Sequence, residues 1–170
     1  MTPIVLYSSR TGNTEKVARA MAAALLEGTP CCSVTDLPSD WHRHRPVFLG
    51  FWVDRGTADA ATRCVLPLLQ DADIAIFATL GADPASDHAR LSLEAASSLL
   101  PRSSRLLGTF CCRGRVDPEL VKKMYEMFPP QSLHGRNPAS ESRIRAASTH
   151  PDETDLAQAA AFARRMMEKE

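Results

Sequence analysis

Two segments of this chain, 47–53 (VFLGFWV) and 73–79 (DIAIFAT), are apolar almost without interruption. A strand with one face in water alternates apolar and polar residues; a strand without that alternation has to be covered on both faces. Further strand candidates lie at 3–8 (PIVLYS), more weakly at 31–35, and at 106–112 (LLGTFCC). Helical patterns fall at 14–26, 58–70, 87–100 and 152–168; in the first, Val17, Met21 and Leu25 recur at i, i+4, i+8 as one buried stripe. Asp117-Pro118-Glu119 has the N-cap, first-turn proline and first-turn acid of a short helix. Residues 129–150 read as irregular. Strands alternating with helices predict an α/β fold, a parallel sheet with helices on both faces and right-handed crossovers. No linker or repeat divides the 170 residues, so one domain over 1–170 is expected.

The polar loop between the first strand and the first helix narrows the function. It reads Ser8-Ser9-Arg10-Thr11-Gly12-Asn13-Thr14. A helix N-terminus offers free backbone N–H groups and a partial positive charge, which suits a phosphate. Ser9, Thr11 and Thr14 add hydroxyls, Asn13 an amide, and Gly12 lets the backbone turn closely round an anion. There is no G-x-x-x-x-G-K-[ST] and no G-x-G-x-x-G. Donors that are mostly uncharged, without metal-binding machinery, fit a terminal monophosphate better than a triphosphate. The alternative is a helix opened by ordinary polar turn residues.

With [ST]-x-T-G-N-T directly after strand one, the chain resembles flavodoxins, in which this loop holds the phosphate of FMN. The resemblance implies a flavodoxin-like three-layer sandwich with a five-stranded parallel sheet in the order 2-1-3-4-5, and FMN beyond the carboxyl ends of the strands. It implies phosphate contacts from Ser9, Thr11, Gly12, Asn13 and Thr14, with added charge from Arg10. Trp52, at the end of strand three, would stack on the flavin, against the alternative of a core tryptophan. Thr79, Leu80, Gly81, Ala82 and Asp83, after strand four, would hold the ring edge, against the alternative of a plain turn; His88 is expected at the flavin rim or simply on the surface. The chain departs from the family at Val53, where many flavodoxins place a glycine whose peptide flips toward reduced flavin. A β-branched residue resists positive φ, so weak stabilisation of half-reduced flavin is expected.

The longer strings GFWVDRGTAD, ATLGADPASDHA and CCRGRVDP are similar to accessory flavodoxins associated with bacterial bilirubin reductases. That implies an FMN-binding electron-transfer protein that supplies or assists a partner reductase in reducing a linear tetrapyrrole. Two other readings stay open. One is an FMN-dependent NAD(P)H:quinone-type oxidoreductase, with Arg113 and Arg115 drawing a nucleotide phosphate; the other is a flavin-free interaction module with the same fold.

Charge excludes some classes and raises a question. Twenty Lys+Arg balance 20 Asp+Glu, which argues against a nucleic-acid binder. No apolar run approaches the roughly 20 residues of a membrane span. Yet residues 101–150 hold nine basic side chains and four acidic ones, either a solvated face or a surface for an anionic partner. Low-potential flavodoxins are typically acidic, so neutrality points away from a general carrier and toward a dedicated partner. Cys31-Cys32, Cys111-Cys112 and Cys64 show no C-x-x-C, and strand neighbours point to opposite faces, so reduced cytoplasmic thiols are expected and a zinc site is not. His42-Arg43-His44-Arg45 lacks a third ligand nearby, and no G-x-S-x-G marks a hydrolase.

Overall fold

The computed structural model describes residues 2–169; Met1 and Glu170 of the expected 1–170 unit lie outside the described residues. Six strands form the sheet: β1 (Ile4–Tyr7), β2 (Cys31–Ser33), β3 (Val47–Asp54), β4 (Thr57–Ala58), β5 (Asp73–Leu80) and β6 (Arg105–Arg113). The parallel strands run β2-β1-β3-β5-β6, and the two-residue β4 pairs antiparallel with β3. With β4 set aside, this is the expected order 2-1-3-4-5.

Helices α1 (Asn13–Ala24), α2 (Ala60–Val65), α3 (Asp87–Ser97), α4 (Pro118–Met127), α5 (Pro138–Ala147) and α6 (Glu153–Met167) cover the sheet and its carboxyl end. The alternation of side chains along each strand builds two separate cores. Ile4, Leu6, Leu49, Phe51, Ile74 and Ile76 face Val65, Leu66, Leu69, Leu93 and Ala96 on one side. Val5, Phe48, Ala75 and Phe77 face Val17, Met21, Phe162, Ala163 and Met166 on the other. Each fully buried large side chain contributes about 1.5–3 kcal/mol over its exposed state. Gly50 serves this packing: a Cβ there would fall 2.1 Å from the Phe77 ring, which lies opposite it in the register.

The adjacent cysteines divide between these cores as strand geometry requires. Cys32 and Cys111 pack against the first, Cys31 and Cys112 join the second, and all five thiols are free. Burial pushes the Cys31 thiol up to about 11 and raises Cys112 further.

Three expected elements differ. The helix read at 58–70 begins later and is shorter: Thr57-Ala58 closes a hairpin, α2 spans only 60–65, and 66–68 is a 3₁₀ turn. Pro67 lacks the N–H that would continue the α ladder. The helix read at 87–100 stops at Ser97. The stretch read as irregular at 129–150 contains α5, capped by Asn137, whose side chain accepts from Ser140 N–H at 2.9 Å with Pro138 in the first turn. Among the described residues, no helix is long and apolar enough to cross a membrane.

Candidate functional site

The carboxyl ends of β1, β3, β5 and β6 converge, and the loops that follow them build one site. Ser8 continues β1, its N–H donating to the Gly50 carbonyl at 2.9 Å and its hydroxyl to the buried Asp59 carboxylate at 2.8 Å. The chain is thereby pinned on both sides before it turns. Gly12 then adopts φ 86°, the left-handed region, and α1 begins at Asn13. A Cβ at Gly12 would meet nothing within 4 Å, so backbone conformation and not crowding demands the glycine.

The N-terminus of α1 is left open by its own sequence. Asp59, Ser86, Asp117, Asn137 and Asp152 each accept a hydrogen bond from the first turn of the helix they precede. Gly12 has no side chain with which to do so, and α1 has no side-chain cap. The N–H groups of its first turn therefore have no partner within the helix. Ser9 Oγ accepts from Gly12 N–H at 3.1 Å, which leaves its own O–H free to donate. Asn13 Nδ2 donates to Thr11 Oγ1 at 3.0 Å and to the Arg115 carbonyl at 2.8 Å. Thr14 Oγ1 lies 2.9 Å from Thr79 Oγ1, buried, so these two expected ligands are each other's partners and tie α1 to β5.

Trp52 faces Thr79 across the β3–β5 register and is half-buried; it belongs to neither core, whereas Trp41 packs against the first. The Arg10 guanidinium lies 5.7 Å from the Trp52 ring centroid, a cation–π distance, and 3.6 Å from the Asp117 carboxylate. Val53 stays in the ladder, paired with Ala58, and the positive φ values fall one turn later at Arg55 (50°) and Gly56 (79°). Two consecutive left-handed residues make the tight turn that suits a twisted hairpin. Gly56 would bring a Cβ 4.0 Å from His88 Cε1, so His88 stands at the hairpin tip.

Thr79 and Leu80, expected in the loop, are the buried last residues of β5 and stay in its ladder; beyond them Gly81 and Ala82 are half-buried and Asp83 is exposed. The Asp83 carboxylate accepts from Ala85 N–H at 2.9 Å and from Arg113 Nη2 at 2.8 Å. Its side chain is thus engaged in shaping the loop, and its carbonyl accepts from the Ser86 N–H and hydroxyl, leaving its own N–H to meet a ligand. Cys111 Sγ reaches the Pro84 carbonyl at 3.5 Å; burial, then the Asp83 carboxylate, pushes its thiol up and keeps it protonated at neutral pH.

A fourth loop, 114–117, was not among the expected site residues. Gly114 N–H donates to the Leu80 carbonyl at 2.9 Å, Val116 occupies the space above Gly81 (a Cβ there would fall 2.4 Å from Val116 Cγ2), and Asp117 meets Arg10. Its signal in the sequence is Gly114 and Asp117-Pro118 directly after an apolar strand, but its contacts reach back about 35 residues to Leu80 and Gly81 and about a hundred to Arg10 and Asn13, and leave no local pattern.

The donor chemistry fits FMN. Open first-turn N–H groups, a free Ser9 hydroxyl and a left-handed glycine with open space beside it suit a phosphate, and an aromatic ring outside both cores suits a flat apolar ligand. Elsewhere, His150, Asp152 and Asp155 have the spacing of a metal group, but Asp152 Oδ1 and Asp155 Oδ2 each accept a backbone N–H in capping α6.

A sequence model of the family described as a flavodoxin domain matches residues 4–164. The flavodoxin-like domain-containing protein BilS of Clostridioides difficile (strain CD3) is 33% identical over 174 residues, covering 99% of this chain and 98% of that protein. Oxidised Flavodoxin 2 from Bacillus cereus superposes with a TM-score of 0.60 at 16% identity over 100% of both chains. A flavoprotein in complex with FMN from Lactobacillus acidophilus superposes with a TM-score of 0.54 at 13% identity, over 72% of this chain and 97% of that one.

Proposed function

The chain belongs to the flavodoxin domain family, and from that premise we propose that it is a cytoplasmic, FMN-binding electron-transfer protein that supplies or assists a partner reductase in reducing bilirubin. The observation that carries the cofactor is the uncapped α1 among five helices capped by their own side chains. The partner reading rests on the GFWVDRGTAD, ATLGADPASDHA and CCRGRVDP strings and on the near full-length similarity to BilS.

Bound FMN would supply reversible uptake and release of electrons; the protein side chains hold and tune it. The first-turn N–H groups of α1, with Ser9 and Thr11 hydroxyls, take the phosphate, and Arg10 adds a cation beside them. Trp52 presents the apolar ring that excludes water from one flavin face. Of the stretch Thr79 to Asp83, the loop backbone from Gly81 to Asp83 supplies groups for the ring edge, since Thr79 and Leu80 lie in the β5 ladder. Arg113, one of two cations that a pyridine-nucleotide phosphate would need, is already paired with Asp83, which favours the carrier over a nucleotide-dependent reductase.

The test is anaerobic: FMN-loaded, photoreduced protein is mixed with purified bilirubin reductase and bilirubin. Loss of bilirubin absorbance faster than with free reduced FMN is the expected result. Steady NAD(P)H oxidation with a quinone and no added reductase would mark the oxidoreductase instead. A protein that takes up no FMN would mark the interaction module.

A further inference from the structure

We propose that the arm formed by α4 and α5, residues 117–148, is the surface on which an acidic face of the partner reductase docks. The proposal rests on the functional reading above and gives that reading a place on the molecule.

The arm lies between the last strand and the terminal helix, so it is rooted at the carboxyl end of the sheet, where the cofactor site is. Its root touches that site directly: Gly114 N–H on the Leu80 carbonyl, Asn13 on the Arg115 carbonyl, and Arg10 on Asp117, the cap of α4. Beyond the root the arm buries Ala147 of α5 but leaves its large apolar side chains only half-covered or exposed. No residue of α4 is buried, although Leu120, Val121 and Met124 give it an apolar side. At the tip, Met127 and Leu133 are 74% and 71% exposed, and the Phe128 ring rests only 5.4 Å from His134. Exposed large apolar groups gathered within seven residues and bordered by charge have the anatomy of a docking site.

Charge selects the occupant. Ion pairs remove Asp117 (with Arg10) and Glu141 (with Arg136) from the acids of this region. Within the arm that leaves Lys122, Lys123, Arg143 and Arg145 against Glu119 and Glu126, with Arg115 at its root; none of these five cations has an ion pair among the described residues, and Arg143 donates to the Leu133 carbonyl at 3.0 Å. A second copy of the chain would bring two such cationic surfaces together and is disfavoured; an acidic partner is drawn in, and drawn to the end where electrons leave. The arm itself holds five basic and four acidic side chains, and its cations without ion pairs give part of the basic excess of 101–150 a use.

The experiment measures binding of FMN-loaded protein to purified bilirubin reductase by calorimetry at low and high salt, for the parent chain, Lys122→Glu with Lys123→Glu, and Leu133→Ser. The parent is expected to bind, and more weakly at high salt. The double reversal is expected to weaken binding by about tenfold or more at low salt and to flatten the salt dependence. Leu133→Ser, which touches no charge, is expected to weaken binding about fivefold with the salt dependence kept. FMN affinity and melting temperature should be unchanged in both, since the substituted side chains are exposed. Parent-like binding by both variants overturns the docking proposal and leaves the partner reading standing. Absence of parent binding overturns both together. Self-association of the parent that Leu133→Ser abolishes, seen by sedimentation, overturns the proposal in favour of a second copy.

Discussion

Arg10 and Trp52 meet at 5.7 Å, and their meeting defines what a flavin would encounter. A guanidinium over an aromatic face contributes about 0.5–1 kcal/mol at an exposed site, little enough for a stacking ligand to replace. Trp52 lies outside both cores, so its side chain is worth more to a ligand than to the fold. Trp52→Ala is therefore expected to weaken FMN binding by about tenfold, in keeping with ~1–3 kcal/mol per stacked base. Its melting temperature should stay within a few degrees of the parent's. A large loss of thermal stability with unchanged FMN affinity would make Trp52 a core residue after all. Val53 was legible as a departure from the family, and its place in the ladder opposite Ala58 shows why it tolerates no positive φ. That the turn itself falls on Arg55 and Gly56 was not legible, because Asp-Arg-Gly-Thr serves equally well as a helix approach.

At the scale of elements, Asp59 connects the fold to the site. Its carboxylate caps α2 through Ala61 and Thr62 N–H and accepts the hydroxyls of Thr62 and Ser8, the last of these holding the start of the phosphate loop. Removing it costs a helix cap, about 1 kcal/mol, and strands a buried hydroxyl, about 1–3 kcal/mol more. Asp59→Ala should thus lower the free energy of unfolding by ~2–4 kcal/mol in urea, with a smaller loss of FMN affinity. A change below about 0.5 kcal/mol would mean that water replaces the carboxylate freely. The long strands β3 and β5 could be read in advance because burial on both faces erases polar residues, and β6, at the sheet edge, through its apolar run LLGTFCC. The helix α5 could not: its ten residues include five polar or charged groups on a surface that buries little, so no apolar stripe announces it. Its cap, Asn137-Pro138 with Ser140 following, was the sole local sign. The phosphate loop was legible because its chemistry is contiguous in the chain. Loop 114–117 was not, because Leu80, Gly81 and Asn13 reach it only through the fold.

For the molecule as a whole, zero net charge conceals a division of labour. The two cores are apolar, while the arm beyond β6 carries an exposed apolar tip together with Lys122, Lys123, Arg143 and Arg145, which form no ion pair among the described residues. On the proposed reading the cofactor and the partner both meet the carboxyl end of the sheet, the end that a parallel α/β topology leaves free for ligands. Everything functional then depends on the open N-terminus of α1 holding a phosphate. That dependence is measured most directly by titrating the flavin-free protein with FMN and with riboflavin, which share the ring and differ in the phosphate. Two charge-assisted hydrogen bonds of about 1.5–3 kcal/mol each should make FMN bind at least ~100-fold more tightly. Equal affinity for the two flavins, or no affinity for either, would contradict a phosphate site at Ser9–Thr14.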